Sequence, residues 1–124
     1  MIKISTLERE VIFSILAQAA GSPAQAQAIV DQLVIADRTI SSAADDPDRC
    51  CGFYLNFTEN SALTELDLLP HNFSLQGTHP DLIAGGDFIL FFDSKKGISF
   101  LEATFYGETL PTARLLSEQH GFTF

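Results

Sequence analysis

An α+β fold is predicted, with an N-terminal helix pair packed on one face of an antiparallel sheet of three to five strands and a short C-terminal helix possible. Three observations predict it. Apolar residues recur at three- and four-residue spacing early in the chain. After residue 50 the period changes to alternation and short unbroken apolar runs. The stretch Gly85–Pro111 then reads as two apolar runs joined by a polar turn. Helices segregated from strands along the chain argue for one layer of each. The length of 124 residues fits a single domain, 1–124, able to bury an adequate core.

The first helix is read from Ile4, Leu7, Val11, Ile15 and Leu16, with Ile12 and Ala19 widening the stripe. Ser5 or Thr6 can cap it, Glu8 and Glu10 favour the positive end of its dipole, and Gly21 ends it. Ser22-Pro23-Ala24-Gln25 starts a second helix with a capping serine and a proline at the first position, and Ala26, Ile29, Val30, Leu33 and Val34 form its apolar face. Arg38–Ser42 reads as a short strand or an extended link, and Ser41–Arg49 as a loop.

Phe53, Leu55 and Phe57 alternate with Tyr54, Asn56 and Thr58, which predicts a half-buried strand. Leu63, Leu66, Leu68 and Leu69 fit either a strand with a bulge or a loose turn of helix, with the strand preferred, and Phe73–Leu75 is read as an extended run. Gly77–Gly86 is read as a loop turning at Pro80, with a short helical turn at Asp81–Ala84 as an option. Phe88–Phe92 suits a central strand covered on both faces or nearly so. Asp93–Gly97 is a turn in which Gly97 takes a positive φ. The return strand places Ile98, Phe100, Glu102, Thr104 and Tyr106 on one face and Ser99, Leu101, Ala103 and Phe105 on the other. Phe88, Phe91, Phe92 and Phe105 are expected in the core. Pro111–Glu118 reads as a terminal helix, with Phe122 and Phe124 tucked on the sheet or free.

Charge excludes some partners. Sixteen acids against seven bases give a net charge of −9. Such a chain is repelled by nucleic-acid phosphates and anionic membranes, whereas a basic protein is attracted. No run reaches a membrane-spanning length and the N-terminus lacks the order of a signal peptide, so a cytoplasmic location is expected. Cys50 and Cys51 are adjacent, which suits two reduced thiols entering a strand, one facing the core and one facing out.

The candidate chemistry is sparse. Glu102 is a carboxylate inside an apolar run and is a weak candidate for general acid–base work, which would need a second group. His71, His79 and His120 match no metal-ligand spacing, so neither metal nor cofactor is expected. Gly85-Gly86 precedes a strand rather than a helix and is therefore no phosphate loop. The acids Asp45, Asp46, Asp48, Glu65 and Asp67 form a candidate face for a basic partner. Tyr54, Phe100 and Tyr106 lack a clear inward assignment and would form an interface patch if exposed together.

Gly86-Asp87-Phe88-Ile89-Leu90-Phe91-Phe92, the glycine turn, Ile98-Ser99-Phe100-Leu101-Glu102, then Phe105-Tyr106-Gly107-Glu108 and Pro111 follow one another in a recognisable order. This order resembles the C-terminal signature of small acidic bacterial proteins, many uncharacterised and some of the immunity type encoded beside secreted or contact-dependent toxins. The resemblance covers Gly77–Pro111, with the helix pair and Gly52–Phe57 matched only loosely. Leu110 stands where the pattern often has tryptophan. It implies an α+β fold and a non-enzymatic role, and it carries over no catalytic residue.

Three functions are therefore expected in turn. The first is protein binding, most concretely as an acidic inhibitor of a basic toxin or nuclease. The second is a ligand-binding or enzymatic domain using Glu102 and a histidine. The third is a homodimer formed through a free sheet edge or face.

Overall fold

The computed structural model describes residues 2–20, 22–60, 72–93 and 97–124. Its elements run α1 (Thr6–Ala20), α2 (Pro23–Gln32), β1 (Ile35–Ser42), β2 (Arg49–Phe57), β3 (Phe73–His79), β4 (Leu82–Asp93), β5 (Gly97–Thr104), β6 (Leu110–Pro111) and α3 (Thr112–Leu115). The α+β class holds, and the sheet has six strands rather than three to five. Its order is β1-β2-β5-β4-β3, all neighbours antiparallel, with the two-residue β6 pairing the start of β2.

Both helix starts follow from local chemistry. The Ser5 hydroxyl accepts from the Glu8 amide at 3.1 Å while the Glu8 carboxylate accepts from the Ser5 amide at 2.8 Å, a reciprocal capping box. Ser22 accepts from the Gln25 amide at 3.3 Å ahead of Pro23. Gly21, expected to end α1, lies outside the described residues, as do Leu63–Leu69.

α1 packs on α2, β3 and β4. Its Leu7, Val11, Ile12, Ile15 and Leu16 join Phe53, Leu55, Phe57, Phe88, Leu90, Leu101 and Phe105 in one core. Glu8, wholly buried, is met by the Arg38 guanidinium, whose Nε donates to Oε2 at 2.8 Å. That ion pair joins the first turn of α1 to β1. Removing one partner of such a pair strands a charge and costs about 3–5 kcal/mol.

Several sequence readings are corrected. Gly77–Gly86 is no loop: β3 continues to His79, β4 begins at Leu82, and only Pro80-Asp81 turns between them. The terminal helix is shorter than Pro111–Glu118, because residues 116–119 form turns held partly by Ser117. Phe122 is buried against Phe88, Phe105 and His79, while Thr123 pairs with Thr78 through hydrogen bonds of 2.8 and 2.9 Å.

Two β-bulges decide which side chains face the helices. The pairing shifts at Phe91/Phe92 leave Ser99 as the extra residue, so Ile98 turns into the core opposite Phe92 instead of sharing a face with Phe100. The shift at Ser41/Ser42 does the same at Cys51, which lets Cys50 face the core. Between them, Gly52 is required: a Cβ there would collide with the Ala103 carbonyl of β5.

Candidate functional site: the open face of the sheet

Among the described residues, the helices cover one face of the sheet only. Cross-strand register sets the other face out in rows. One row reads Thr39–Tyr54–Glu102–Ile89–Ser74. The next reads Asp37–Asn56–Phe100–Phe91, and on the other side lie Ser41–Gly52–Thr104–Asp87–Gln76. Directly opposed residues share a face, so each row crosses the sheet on the side away from α1.

The middle of this surface is aromatic. Phe91 and Phe100 stack with ring centroids 4.3 Å apart and planes 16° apart. Tyr54 lies 6.2 Å from Phe100 at a tilt of 51° and is itself exposed. Phe91, expected in the core, is thus only half-buried, and β4 is covered on one face rather than two. The misassignment has a plain cause: an unbroken Phe-Ile-Leu-Phe-Phe run hides its own alternation, and the partner across the strand decides which residues are dry.

The rim is acidic. Asp37 accepts from the Asn56 amide at 2.7 Å. Asp87 and Glu102 are half-buried, and neither carboxylate has a hydrogen-bond or ion-pair partner among the described residues. Among those residues no Lys or Arg occupies the three rows.

Of the residues expected at a site, Tyr54 and Glu102 are brought directly opposite one another. Asp45, Asp46 and Asp48 lie in the β1–β2 loop beyond the end of the sheet. There Asp46 accepts from the Asp48 amide at 2.9 Å and the Asp48 carbonyl accepts from Thr112. Tyr106 is beyond the same end and not on the strand face. Tyr106 and Gly107 have φ of 57° and 83°, and Glu108 N donates to the Phe105 carbonyl at 3.1 Å, a type I′ turn. Glu65, Asp67 and His71 lie outside the described residues. Asp87 and Ile89 were not singled out by sequence reasoning, Phe91 was assigned to the core, and Asp37 was noted only as one of the many acids between residues 31 and 67. The signal that finds them is parity with Glu102, once the pairing of β4, β5 and β2 is known.

The Tyr-Gly-Glu step has a structural use. The Glu108 carboxylate accepts from the amides of Ile83 and Ala84 at 2.9 to 3.3 Å, where β4 extends past the end of β5. It ties the turn to the start of β4.

Glu102 does not meet a histidine. His79 Nδ1 accepts from the Asp81 amide at 3.0 Å and Nε2 donates to the His120 carbonyl at 2.9 Å. His120 Nδ1 accepts from the Phe122 amide at 3.0 Å, which leaves Nε2–H to donate to Glu10 at 3.0 Å. Both rings pack on Phe122, on the covered side of the sheet. A cleft of about 330 Å³ between the N-terminal segment and the turn after α3 is also away from Glu102; Arg38 within it is already bonded to Glu8 and to the Lys3 carbonyl. Among the described residues, no cluster of three or more His, Cys, Asp or Glu is placed to hold a metal.

No helix of the structure, among the described residues, is long and apolar enough to cross a membrane. No family model, curated protein or solved structure matches the chain.

Proposed function

We propose that this chain is a non-enzymatic protein-binding domain whose partner is basic, and that the partner docks on the open face of the sheet. An acidic inhibitor of a basic toxin or nuclease, acting in the bacterial cytoplasm, is the most concrete version. The observation that carries the reading is the composition of that face: Tyr54, Ile89, Phe91 and Phe100 at its centre, with Asp37, Asp87 and Glu102 among and around them. Aromatic anchors with a charged rim are the usual make-up of a specific interface. The overall charge of −9 would steer a basic partner toward it.

Both sheet edges favour docking on the face over strand addition. Pairing shifts interrupt both ends of β1, which also carries Asp37 and Arg38, and Thr123 occupies the free side of β3 at Thr78. The loop acids Asp45, Asp46 and Asp48 would then act at long range rather than in the contact.

The test is capture of the partner from the native cell by the parent chain and by variants with a lysine introduced. Tyr54→Lys and Glu102→Lys should each abolish capture, and Gln25→Lys, on the exposed side of α2, should not. Binding should weaken as salt rises, since exposed charges are screened beyond about 8–10 Å at physiological ionic strength. Capture that survives both face variants overturns the reading. A stable dimer in light scattering that those variants dissociate would replace the foreign partner with a second copy of the chain.

A further inference from the structure

We infer that Glu102, Tyr54 and Phe100 form a receptor for one arginine side chain of the docked protein. The inference rests on the reading of the open face as a docking surface for a basic protein, and it names the group that surface holds. Three observations support it.

Glu102 is a half-buried carboxylate in the middle strand of five, with Tyr54 and Ile89 directly opposite it on its two neighbours. No described residue donates to it. A carboxylate partly removed from water beside apolar side chains is costly unless something donates to it or pairs with it. The covered side of the molecule shows what this chain does elsewhere with such a group: Glu8 is met by a two-pronged guanidinium from Arg38.

The second observation is the aromatic floor. Phe100 lies two residues before Glu102 on the same strand face, stacked on Phe91 and flanked by Tyr54. A flat guanidinium can lie over an aromatic ring and present its N–H groups sideways to a carboxylate. An ammonium is a compact, strongly hydrated point charge and cannot do both from one position as well. The site therefore fits arginine better than lysine.

The third observation is the absence of a basic residue in the three rows, among the described residues, so no side chain described on that face competes for the position. Asp87, one row away, adds a second negative charge at the edge of the same surface and would favour a neighbouring base on the partner.

The experiment is an amide NMR titration of the whole chain at low salt with two probes of equal charge, hexa-arginine and hexa-lysine peptides. The expected result is that hexa-arginine shifts the amides of Tyr54, Phe100, Leu101 and Glu102 and binds roughly three- to ten-fold more tightly than hexa-lysine. Glu102→Gln, which keeps the shape of the side chain, should weaken hexa-arginine binding by a similar factor, and Phe100→Leu should erase the preference for arginine. Unchanged amide dispersion in each variant checks that the fold is kept. Equal affinity for the two peptides at this face, unaffected by Glu102→Gln, overturns the arginine receptor and leaves the docking face standing. Shifts confined to the Asp45–Asp48 loop or to the helices overturn both.

Discussion

The two faces of the sheet draw on the same strands and end in opposite states. From β4, Phe88, Leu90 and Phe92 point to the helices and are buried, while Ile89 and Phe91 point away and are half-exposed. From β5, Leu101 and Ala103 are buried, and Phe100 and Glu102 are not. The charged and ring groups of the covered side are answered: Glu8 by Arg38, His79 and His120 through both ring nitrogens, and the Asn60 amide by the Ile98 backbone at 2.7 and 2.8 Å, with the Thr112 hydroxyl as an exception. On the open side Glu102 is not answered within the described residues. Apolar content alone does not separate a core from an interface; whether the polar groups among the apolar ones are satisfied does.

The sharpest way to break this comparison is to truncate one phenylalanine on each face of β4. Phe88→Ala should cost about 3–5 kcal/mol, as expected for an aromatic fully enclosed in a core. Phe91→Ala removes a ring stacked on Phe100 but already half in water, and should cost about 1 kcal/mol. Urea denaturation followed by circular dichroism measures both. Equal losses would make the open face a second core rather than a docking face.

A pair of glutamates gives the next largest contrast. Glu8→Ala leaves Arg38 partly buried without its counter-ion and breaks the cap of α1, so a loss of about 3–5 kcal/mol is expected. Glu102→Ala removes a half-buried carboxylate with no described partner, so stability should stay level or rise by up to about 1 kcal/mol. A large loss at Glu102 would show that this carboxylate has a structural task.

Much of this contrast could be read from the chain, and what could not has identifiable causes. The helix pair was legible because Ser5, Glu8, Ser22 and Pro23 act through neighbours three or four residues away. β2 was legible because its alternation is clean. The open face was not legible because two bulges reset the parity of Ile98 and Cys50, and because pairing between β2 and β5 joins residues nearly fifty apart. Glu102 was conspicuous in the sequence, but its neighbours Tyr54 and Ile89 become neighbours only through that pairing. The Glu8–Arg38 pair was missed for the same reason, as nothing local links the two positions.

The turn that closes β5 yields a smaller effect of opposite sign. Tyr106 holds a φ of 57°, which costs a side-chain-bearing residue roughly 1–2 kcal/mol, and it is exposed, so little packing offsets the strain. Tyr106→Gly should therefore raise stability by about 1 kcal/mol, read as a higher urea midpoint with an unchanged slope. If the same variant also weakens partner capture, the tyrosine is kept for contact, and the docking surface extends from the open face around the end of the sheet. If capture is untouched, the surface ends at Thr104.

The smallest effect concerns two adjacent thiols that the bulge at Cys51 places differently. Burial pushes the Cys50 thiol above its ordinary value of 9.0, and the neighbouring Thr112 hydroxyl, which otherwise has no hydrogen-bond partner, relieves this only in part. The folded state therefore disfavours the thiolate more than the unfolded chain does. The contribution to stability is whole below pH 9.0 and is lost as pH rises from there through the higher folded value. Above pH 9 stability should fall with a slope of at most about 1.4 kcal/mol per pH unit from this group. Cys50→Val should flatten that part of the profile. Cys51 is half-exposed, with its Sγ 3.4 Å from the Ser41 carbonyl. A thiol reagent at neutral pH should label Cys51 in the native protein and Cys50 only on unfolding. Labelling of Cys50 first would mean that the β1–β2 end of the sheet opens more readily than its packing implies, and the covered face would then be less closed than its counterpart is open.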